Sequence, residues 1–290
     1  MLKDPAQTSF QMKLPPRHTK HPRRMKLNRR NYYSNRANWQ FQSATWFKKF
    51  MICEAEALAE LKGEWEPDED NTALLVGNYL HSYFESPYVH GAFKRRHPEI
   101  ISTRGSTKGQ LKKDYQVADQ MIETLKSDPA FAKYYQGDKE VIVTGTIGGV
   151  EWMGKLDCFP KNRKSFIDLK TTQSITKKVW VEDNREYGNF IEAYRYPLQM
   201  AVYQELIRQQ YDVTAVPIIA AASKQDPPDH ALVKIPQDLL DYWLDKIETL
   251  QPRIEAVKNG ETKPTRCEHC AYCRATKRLT GIIDLYDLTD

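Results

Sequence analysis

The stretch Phe166–Gln173, FIDLKTTQ, places an aspartate and a lysine two residues apart in a segment with the composition of a β-strand. Because side chains alternate across a strand, Asp168 and Lys170 point to the same face, about 7 Å apart. A buried sheet face normally excludes such charges unless they are paired. The stretch therefore predicts a strand with a polar site on one face.

The segments before this strand supply a second aspartate. EVIVTGTI at 140–147 and VEWMGKLDCF at 150–159 alternate with period two around a Gly-Gly turn, and PKNRKS makes the next reversal. These segments predict a meander of three antiparallel strands. Neighbouring strands lie about 5 Å apart, so Asp157 and Asp168 can converge on one site.

Two converging carboxylates repel each other, and a divalent cation relieves that repulsion. Carboxylate and water oxygens suit Mg²⁺ or Mn²⁺. Lys170, on the same face, could orient an attacking water or stabilise charge that develops on a phosphate. The set predicts metal-assisted phosphodiester hydrolysis. The alternative is an exposed strand face with an ordinary Asp–Lys pair.

Helical and strand patterns surround the meander. Apolar residues recur at helical spacing in several segments, and one further apolar segment favours a buried strand. The expected helices are 44–63 (ended by Gly63), one entered from the cap-like Asn71, 108–127, 196–210 and 237–260, and the expected strand is 213–223. This order predicts an α/β fold with a mixed sheet flanked by helices.

Length and composition indicate an enzyme-sized globular protein. The chain has 290 residues, of which 40% are hydrophobic, enough for one large domain or two modest ones. No run of about 18 apolar residues predicts a transmembrane helix, and the first 30 residues lack the apolar centre of a signal peptide. We therefore expect a cytoplasmic protein.

Basic residues are concentrated at the start of the chain. Residues 1–40 contain ten Lys or Arg and one acidic residue, whereas the remainder carries a net charge of −4. Few aliphatic residues occur in this region, so we expect residues 1–38 to form a flexible arm and residues 39–290 to form the folded domain. The arm could follow a nucleic-acid backbone through phosphate contacts, or it could be a solubilising terminus.

Four short motifs resemble those of a known superfamily. Gly154–Asp157 (GKLD), ten intervening residues and Asp168–Lys170 (DLK) resemble the PD-(D/E)XK nuclease signature. Gly77–His81 (GNYLH) resembles the G-x-x-x-H of its RecB-like branch, and Gln199–Tyr203 (QMAVY) resembles the Q-x-x-x-Y of that branch. The motifs stand in the family's order across roughly Gln40–Leu279, and the resemblance is closest to the phage RecE and exodeoxyribonuclease VIII-like group.

The resemblance implies a restriction-endonuclease-like core and specific roles in the meander. Asp157 and Asp168 would bind Mg²⁺ or Mn²⁺, with the backbone carbonyl of Leu169 as a further ligand. Lys170 would be the catalytic lysine.

Residues outside the D-x-K motif also receive roles from the resemblance. His81 would be a further metal ligand or a phosphate contact, although its spacing also fits a core histidine. Gln199 and Tyr203 share a helix face and would orient the site or contact DNA, although simple packing would also explain the tyrosine. Glu140 would match a recurrent acidic position of the branch.

The implied activity is that of a Mg²⁺-dependent DNA exonuclease. It would process linear ends in phage-type recombination or repair beside a single-strand annealing recombinase, in the cytoplasm of a bacterial host. A catalytically weak or inactive module that holds DNA ends through the same fold is the alternative. A zinc-ribbon interaction protein is a more distant one.

A cysteine-rich loop at 264–275 forms a second constellation. Its Cys-x₂-Cys-x₂-Cys run offers three thiolates to one metal or cluster. Iron–sulfur nucleases of the resembled branch add a lone N-terminal cysteine, although their trios usually have a longer second gap. The resemblance thus implies a 4Fe–4S cluster, and the rivals are Zn²⁺ bound with His269 and unligated thiols. The four candidate ligands are Cys53, Cys267, Cys270 and Cys273.

Overall fold

A five-stranded mixed sheet forms the centre of the computed structural model, which describes residues 25–67, 71–279 and 281–287. The strands are β1 (Asp138–Ile147), β2 (Val150–Phe159), β3 (Ser165–Thr172), β4 (Val179–Val181), β5 (Glu186–Gly188), β6 (Val216–Ser223) and β7 (His230–Lys234). The sheet order is β1-β2-β3-β6-β7, and β4 and β5 form a separate hairpin. Only the β3–β6 pair in the sheet is parallel. The mixed sheet is therefore confirmed.

The predicted meander is present from β1 to β3. Gly148 and Gly149 connect β1 to β2 with φ values of +58° and +77°, which a two-residue hairpin turn of this kind requires and glycine adopts without strain. The β2–β3 register pairs Cys158 with Ile167. Asp157 and Asp168 therefore lie side by side on neighbouring strands.

Helices cover both faces of the sheet. The helices are α1 (Asn35–Gln40), α2 (Ala44–Ile52), α3 (Glu54–Lys62), α4 (Thr72–Glu85), α5 (Pro87–Arg96), α6 (Lys113–Ser127), α7 (Pro129–Tyr134), α8 (Phe190–Ala193), α9 (Tyr196–Tyr211), α10 (Gln237–Lys258) and α11 (Ala271–Ala275). On β3, Phe166 packs into the core with α2, α3, α9 and α10, whereas Ile167 and Leu169 pack into the core with α4 to α7. Asp168 shares the face of Phe166, which is the face that α9 covers.

Helix boundaries agree with the sequence pattern at some ends and differ at others. Gly63 ends α3 in the left-handed region, as expected. Asn71 precedes α4, but its side chain makes no capping hydrogen bond. None of the helices in the described ranges is both long enough and apolar enough to cross a membrane.

The single helix predicted over residues 44–63 is wrong, because it is divided at Cys53. Cys53 has an extended backbone (φ −155°, ψ 107°) between α2 and α3. Two residues further along the chain, the Ala55 N–H donates to the carbonyl of Thr265. A contact with the C-terminal segment thus accompanies the break, and the local apolar pattern carries no trace of it.

The arm boundary predicted at residue 38 falls within packed structure. Tyr32 and Ala37 are buried in a small cluster with Phe41 and Met153, and Ser34 caps α1. These few apolar side chains are enough to attach the segment to β2. Residues 1–24, where most of the predicted arm lies, are outside the described residues.

Two sheet elements were missed by the sequence pattern. The short strand β7 pairs antiparallel with β6 at the sheet edge, and the β4–β5 hairpin follows the meander. Both are so short that period-two alternation has little length in which to appear.

Candidate active site

The carboxylate of Asp157 is fixed through both of its oxygens. The backbone N–H of Leu169 on β3 donates to Asp157 Oδ2 at 2.7 Å, and His81 Nδ1 on α4 lies 3.2 Å from Asp157 Oδ1. Burial opposes ionisation, but His81, Lys170 and the Leu169 N–H together lower the pKa of Asp157. Asp157 is therefore held as a carboxylate at the junction of β2, β3 and α4.

His81 is brought from the opposite layer to this carboxylate. Its side chain is half-buried, and burial opposes its protonation. Asp157 more than offsets that effect and raises the pKa of His81 above its ordinary value. The structure thus makes His81 a partner of Asp157, instead of a core histidine bonded to the backbone.

Asp168 has a different environment from Asp157. Gln199 Nε2 donates to Asp168 Oδ1 at 3.0 Å, and Lys170 Nζ forms an ion pair with Asp168 Oδ2. Burial and the nearby Asp157 raise the pKa of Asp168, although Lys170 opposes them. Asp168 Oδ2 is buried, and the Lys170 ammonium is its partner in the ion pair.

Gln199 and Tyr203 form a connected pair behind Asp168. The Gln199 amide also lies 3.1 Å from Tyr203 Oη, and the tyrosine ring is buried against β2. A Cβ atom on Gly154 would lie only 2.7 Å from two carbons of that ring. Gly154 thus leaves the space that Tyr203 occupies. In the sequence this glycine is recognisable only as part of GKLD, because its role depends on the packing of α9 against β2.

An open cleft adjoins these residues. It has a volume of about 360 Å³ and is lined by His81, Lys170, Tyr194 and Tyr196, among others. A Cβ atom on Gly77 would have one neighbour, Thr171 Oγ1, at an ordinary 3.9 Å. Gly77 therefore lines the cleft without a side chain, and its lack of a Cβ relieves no clash. The two tyrosines are cleft residues that sequence reasoning missed.

The residues present fit a divalent cation of the Mg²⁺ or Mn²⁺ type. Two carboxylates lie side by side on β2 and β3, and Asp157 contributes to the raised pKa of Asp168, a repulsion that a bound cation would relieve. Hard oxygen donors are the ligands that these cations prefer. The carbonyl of Leu169 stays a predicted further ligand.

Glu140 lies near this site without joining it. The β1–β2 register places it opposite Asp157, and its φ of 57° is unusual for a residue inside a strand. Its carboxylate forms an ion pair with Lys155. Among the described residues, neither aspartate is hydrogen-bonded to it, and its functional role stays a prediction.

The four candidate cysteines meet in one place. Their sulfur atoms all lie within 4.8 Å of one another, with 3.6 Å between the Sγ atoms of Cys53 and Cys273. The backbone N–H groups of Cys270 and Cys273 bond to Sγ of Cys267 and Cys270, respectively. In the described part of the chain this group contains no histidine, so the geometry favours a four-cysteine site over one that includes His269.

An ion-pair network that sequence reasoning missed accompanies the cysteines. Arg253 on α10 forms two hydrogen bonds with Glu54 on α3, at 2.9 and 2.8 Å. The Thr265 N–H donates to the same carboxylate at 2.7 Å. The C-terminal segment is therefore attached to α3 and α10 by polar contacts as well as by the cysteine group.

A family match and one solved structure agree with this architecture. The family described as "PDDEXK-like domain of unknown function (DUF3799)" matches residues 43–276. A crystal structure named "Putative exonuclease", from Eubacterium rectale, is 39% identical with a TM-score of 0.83, and the match covers 91% of this chain and 98% of that one. The structure of SSO0001 covers 79% of this chain and 91% of its own, at 15% identity and a TM-score of 0.28.

No curated protein matches the sequence. The family match spans most of the chain, and it confirms the resemblance to PD-(D/E)XK nucleases that the motifs indicate. The chain belongs to the PDDEXK-like domain family DUF3799.

Proposed function

We propose that this protein is a metal-dependent DNA nuclease, and specifically an exonuclease that hydrolyses phosphodiester bonds at the ends of linear DNA. The observation that carries the proposal is the convergence of two side-by-side carboxylates, Asp157 and Asp168, with the Lys170 ammonium. The 39% identity to the protein named "Putative exonuclease" supports the choice of exonuclease.

The carboxylates would hold Mg²⁺ or Mn²⁺. The Leu169 N–H and His81 fix Asp157, and Gln199 orients Asp168, so both carboxylates are held in position before a cation binds. The cation would supply Lewis-acid activation of the phosphodiester and of water. Gln199 would act on the reaction through Asp168, with Tyr203 holding the Gln199 amide in place. His81 would position Asp157 and stays a predicted further metal ligand or phosphate contact.

Lys170 would stabilise negative charge on the scissile phosphate. Burial opposes its protonation, but Asp168 raises the pKa of Lys170 above the ordinary value, so the ammonium stays charged at neutral pH. Its side chain lines the cleft, where the ammonium can reach a phosphate oxygen or orient the attacking water.

The four cysteines would bind a structural metal centre. A 4Fe–4S cluster and Zn²⁺ both take four thiolates. Sulfur atoms within 4.8 Å of one another suit Zn²⁺ better, since Zn–S bonds of about 2.3 Å place the corners of a tetrahedral site about 3.8 Å apart, whereas a cluster holds its thiolates farther apart. The cluster stays a prediction of the resemblance. We assign this centre to structure, because Cys53 and the trio belong to segments distant in sequence. Action in phage-type recombination or repair, a single-strand annealing recombinase as partner and a bacterial cytoplasm follow from the resemblance alone and stay predictions.

A digestion assay tests the proposal. End-labelled linear duplex, single strands and covalently closed plasmid are incubated with Mg²⁺, Mn²⁺ or EDTA. Asp168→Asn and Lys170→Met are compared with the exposed-site controls Asp114→Asn and Lys62→Met, which carry the same charge changes. We expect metal-dependent loss of linear DNA, slowed about 100-fold or more by the first pair only.

The other outcomes redirect the assignment. Cleavage of closed plasmid would make the protein an endonuclease. Wild type that binds DNA but cuts no substrate with either metal would favour the DNA-end-holding module. Wild type that neither binds nor cuts DNA would overturn the proposal.

A further inference from the structure

Two ammonium groups approach the same aromatic ring at the wall of the cleft. Lys170 Nζ lies 4.8 Å from the centre of the Tyr196 ring, and Lys48 Nζ lies 5.2 Å from it. The two nitrogens are therefore at most about 10 Å apart. Lys48 belongs to α2, far from the D-x-K motif in sequence, and only the packing of α2 against α9 brings it here.

Lys48 differs from its cationic neighbours in lacking an acidic partner. Lys170 is paired with Asp168, and Arg195 is paired with Asp183. Among the described residues, the ammonium of Lys48 forms no ion pair. It donates to the backbone carbonyl of Tyr194 at 3.0 Å, and this carbonyl carries no net charge.

The surroundings of Lys48 make an unpaired charge unfavourable. The side chain is half-buried, and both Lys170 and Arg195 are close enough to repel it. Burial and the charge of Lys170 lower the pKa of Lys48 to about 7. An anion at this position would remove the repulsion and supply the missing counter-charge.

The Tyr196 ring orients both ammonium groups without neutralising them, so their positive charge remains available to attract an anion. A π-face attracts a cation only weakly, whereas a carboxylate would cancel its charge outright. Tyr194 and Tyr196 both line the cleft, so an anion there lies next to the proposed reaction site.

We propose that Lys48 and Lys170, arranged around Tyr196, form a phosphate-binding subsite for the DNA strand that is cut. This inference rests on the proposed nuclease function and adds a residue of α2 to it. Lys170 would contact the scissile phosphate, and Lys48 would contact that phosphate or the next one along the strand.

The test measures DNA binding, separately from cleavage. A fluorescent linear duplex is titrated in EDTA at several KCl concentrations with wild type, Lys48→Met, Lys48→Arg and the control Lys62→Met. Lys62 is an exposed lysine in the last turn of α3, and its substitution removes the same net charge. Circular dichroism checks folding, and Lys48→Gln replaces Lys48→Met if that variant fails to fold.

We expect Lys48→Met to weaken binding about threefold to tenfold and to lower the slope of log affinity against log salt by about 1, the signature of one lost phosphate contact. Lys48→Arg should retain the slope, and Lys62→Met should behave as wild type.

Two results would overturn the subsite. One is an unchanged affinity and slope in Lys48→Met. The other is an equal loss in Lys48→Met and Lys48→Arg with an unchanged slope, which would assign Lys48 to packing. If wild type binds DNA without cutting it, the proposed nuclease function is contradicted, but the salt-slope test of the subsite remains valid. Wild type that does not bind DNA at all would overturn both.

Discussion

Asp157 and Asp168 lie side by side, yet their surroundings give them opposite pKa shifts. Asp157 is stabilised as an anion by His81, Lys170 and the N–H of Leu169, so its pKa is lowered. Burial and repulsion by Asp157 both disfavour the ionised form of Asp168, so its pKa is raised. The environment thus divides the pair into a preformed carboxylate and a second one that gains most from an added cation.

The hydrogen bonds of Gln199 give a first prediction. In Gln199→Leu, Asp168 Oδ1 and Tyr203 Oη both lose their donor. We expect a higher Mg²⁺ concentration for half-maximal cleavage and a loss of about 1–3 kcal/mol in the free energy of unfolding. Tyr203→Phe retains the ring and leaves the hydrogen bond from Gln199 to Asp168 in place, so it should shift both quantities less. Titration of cleavage with Mg²⁺ and urea unfolding measure them, and equal effects in the two variants would contradict the assignment.

Lys48 gives a prediction about the pH dependence of stability. Its pKa is about 7 in the fold and 10.5 ordinarily, so the unfolded state binds more protons between these values and stability rises with pH there. The penalty of the buried charge is fully present below pH 7 and disappears toward pH 10.5. The charged groups that face it are Lys170, Asp168 and Arg195.

Without DNA, we therefore expect Lys48→Met to unfold at higher urea concentration than wild type at pH 6. The difference should shrink as the pH rises toward 10. Urea denaturation over this range measures it, with Lys62→Met as the control. A difference that is constant with pH would contradict the lowered pKa.

At the scale of elements, the sequence predicts those strands and helices whose apolar residues recur with a clear period. The alternation in β1, β2 and β3 was long enough to place Asp157 and Asp168 on adjacent strands, and the helix spacing placed Gln199 and Tyr203 on one face. Lys48 had no such signal, because its position depends on the packing of α2 against α9. The break at Cys53 was hidden for the same reason, since its partner segment lies about 200 residues away along the chain.

Two motif glycines have different packing, which predicts different effects of alanine. Gly154→Ala would place a Cβ 2.7 Å from the buried ring of Tyr203, so the ring or the strand must move. We expect a loss of about 1–3 kcal/mol in the free energy of unfolding and slower cleavage. Gly77 lies inside α4, and a Cβ there would meet Thr171 Oγ1 at an ordinary 3.9 Å. Because alanine favours a helix over glycine, Gly77→Ala should keep or raise the free energy of unfolding. Urea unfolding of both variants checks this, and equal destabilisation would contradict it.

For the whole molecule, the cysteine group joins the beginning and the end of the family domain. Cys53 and Cys273 are separated by 220 positions, and their sulfur atoms are 3.6 Å apart. The Glu54–Arg253 pair and the Thr265 N–H hold the same two regions together without a metal. We therefore predict that the fold forms around this group without a metal, and that a bound metal would add its binding free energy to stability.

This arrangement predicts that metal loss loosens the molecule without unfolding it. Cys273→Ala should purify without the metal and unfold at a temperature lower by several degrees, since about 1 kcal/mol corresponds to roughly 2–4 °C in a domain of this size. Cys158→Ala is the matched control, because Cys158 is also fully buried but lies outside the group. Elemental analysis and visible absorbance identify iron or zinc, and calorimetry gives the melting temperature.

A chelator separates the metal's contribution from the effect of substitution. Metal removal should lower the melting temperature of wild type and of Cys158→Ala, and should leave that of Cys273→Ala unchanged. Wild type that contains neither iron nor zinc after anaerobic purification would show that the four thiols are unligated. The Glu54–Arg253 network would then be the remaining polar link between α3 and the C-terminal segment.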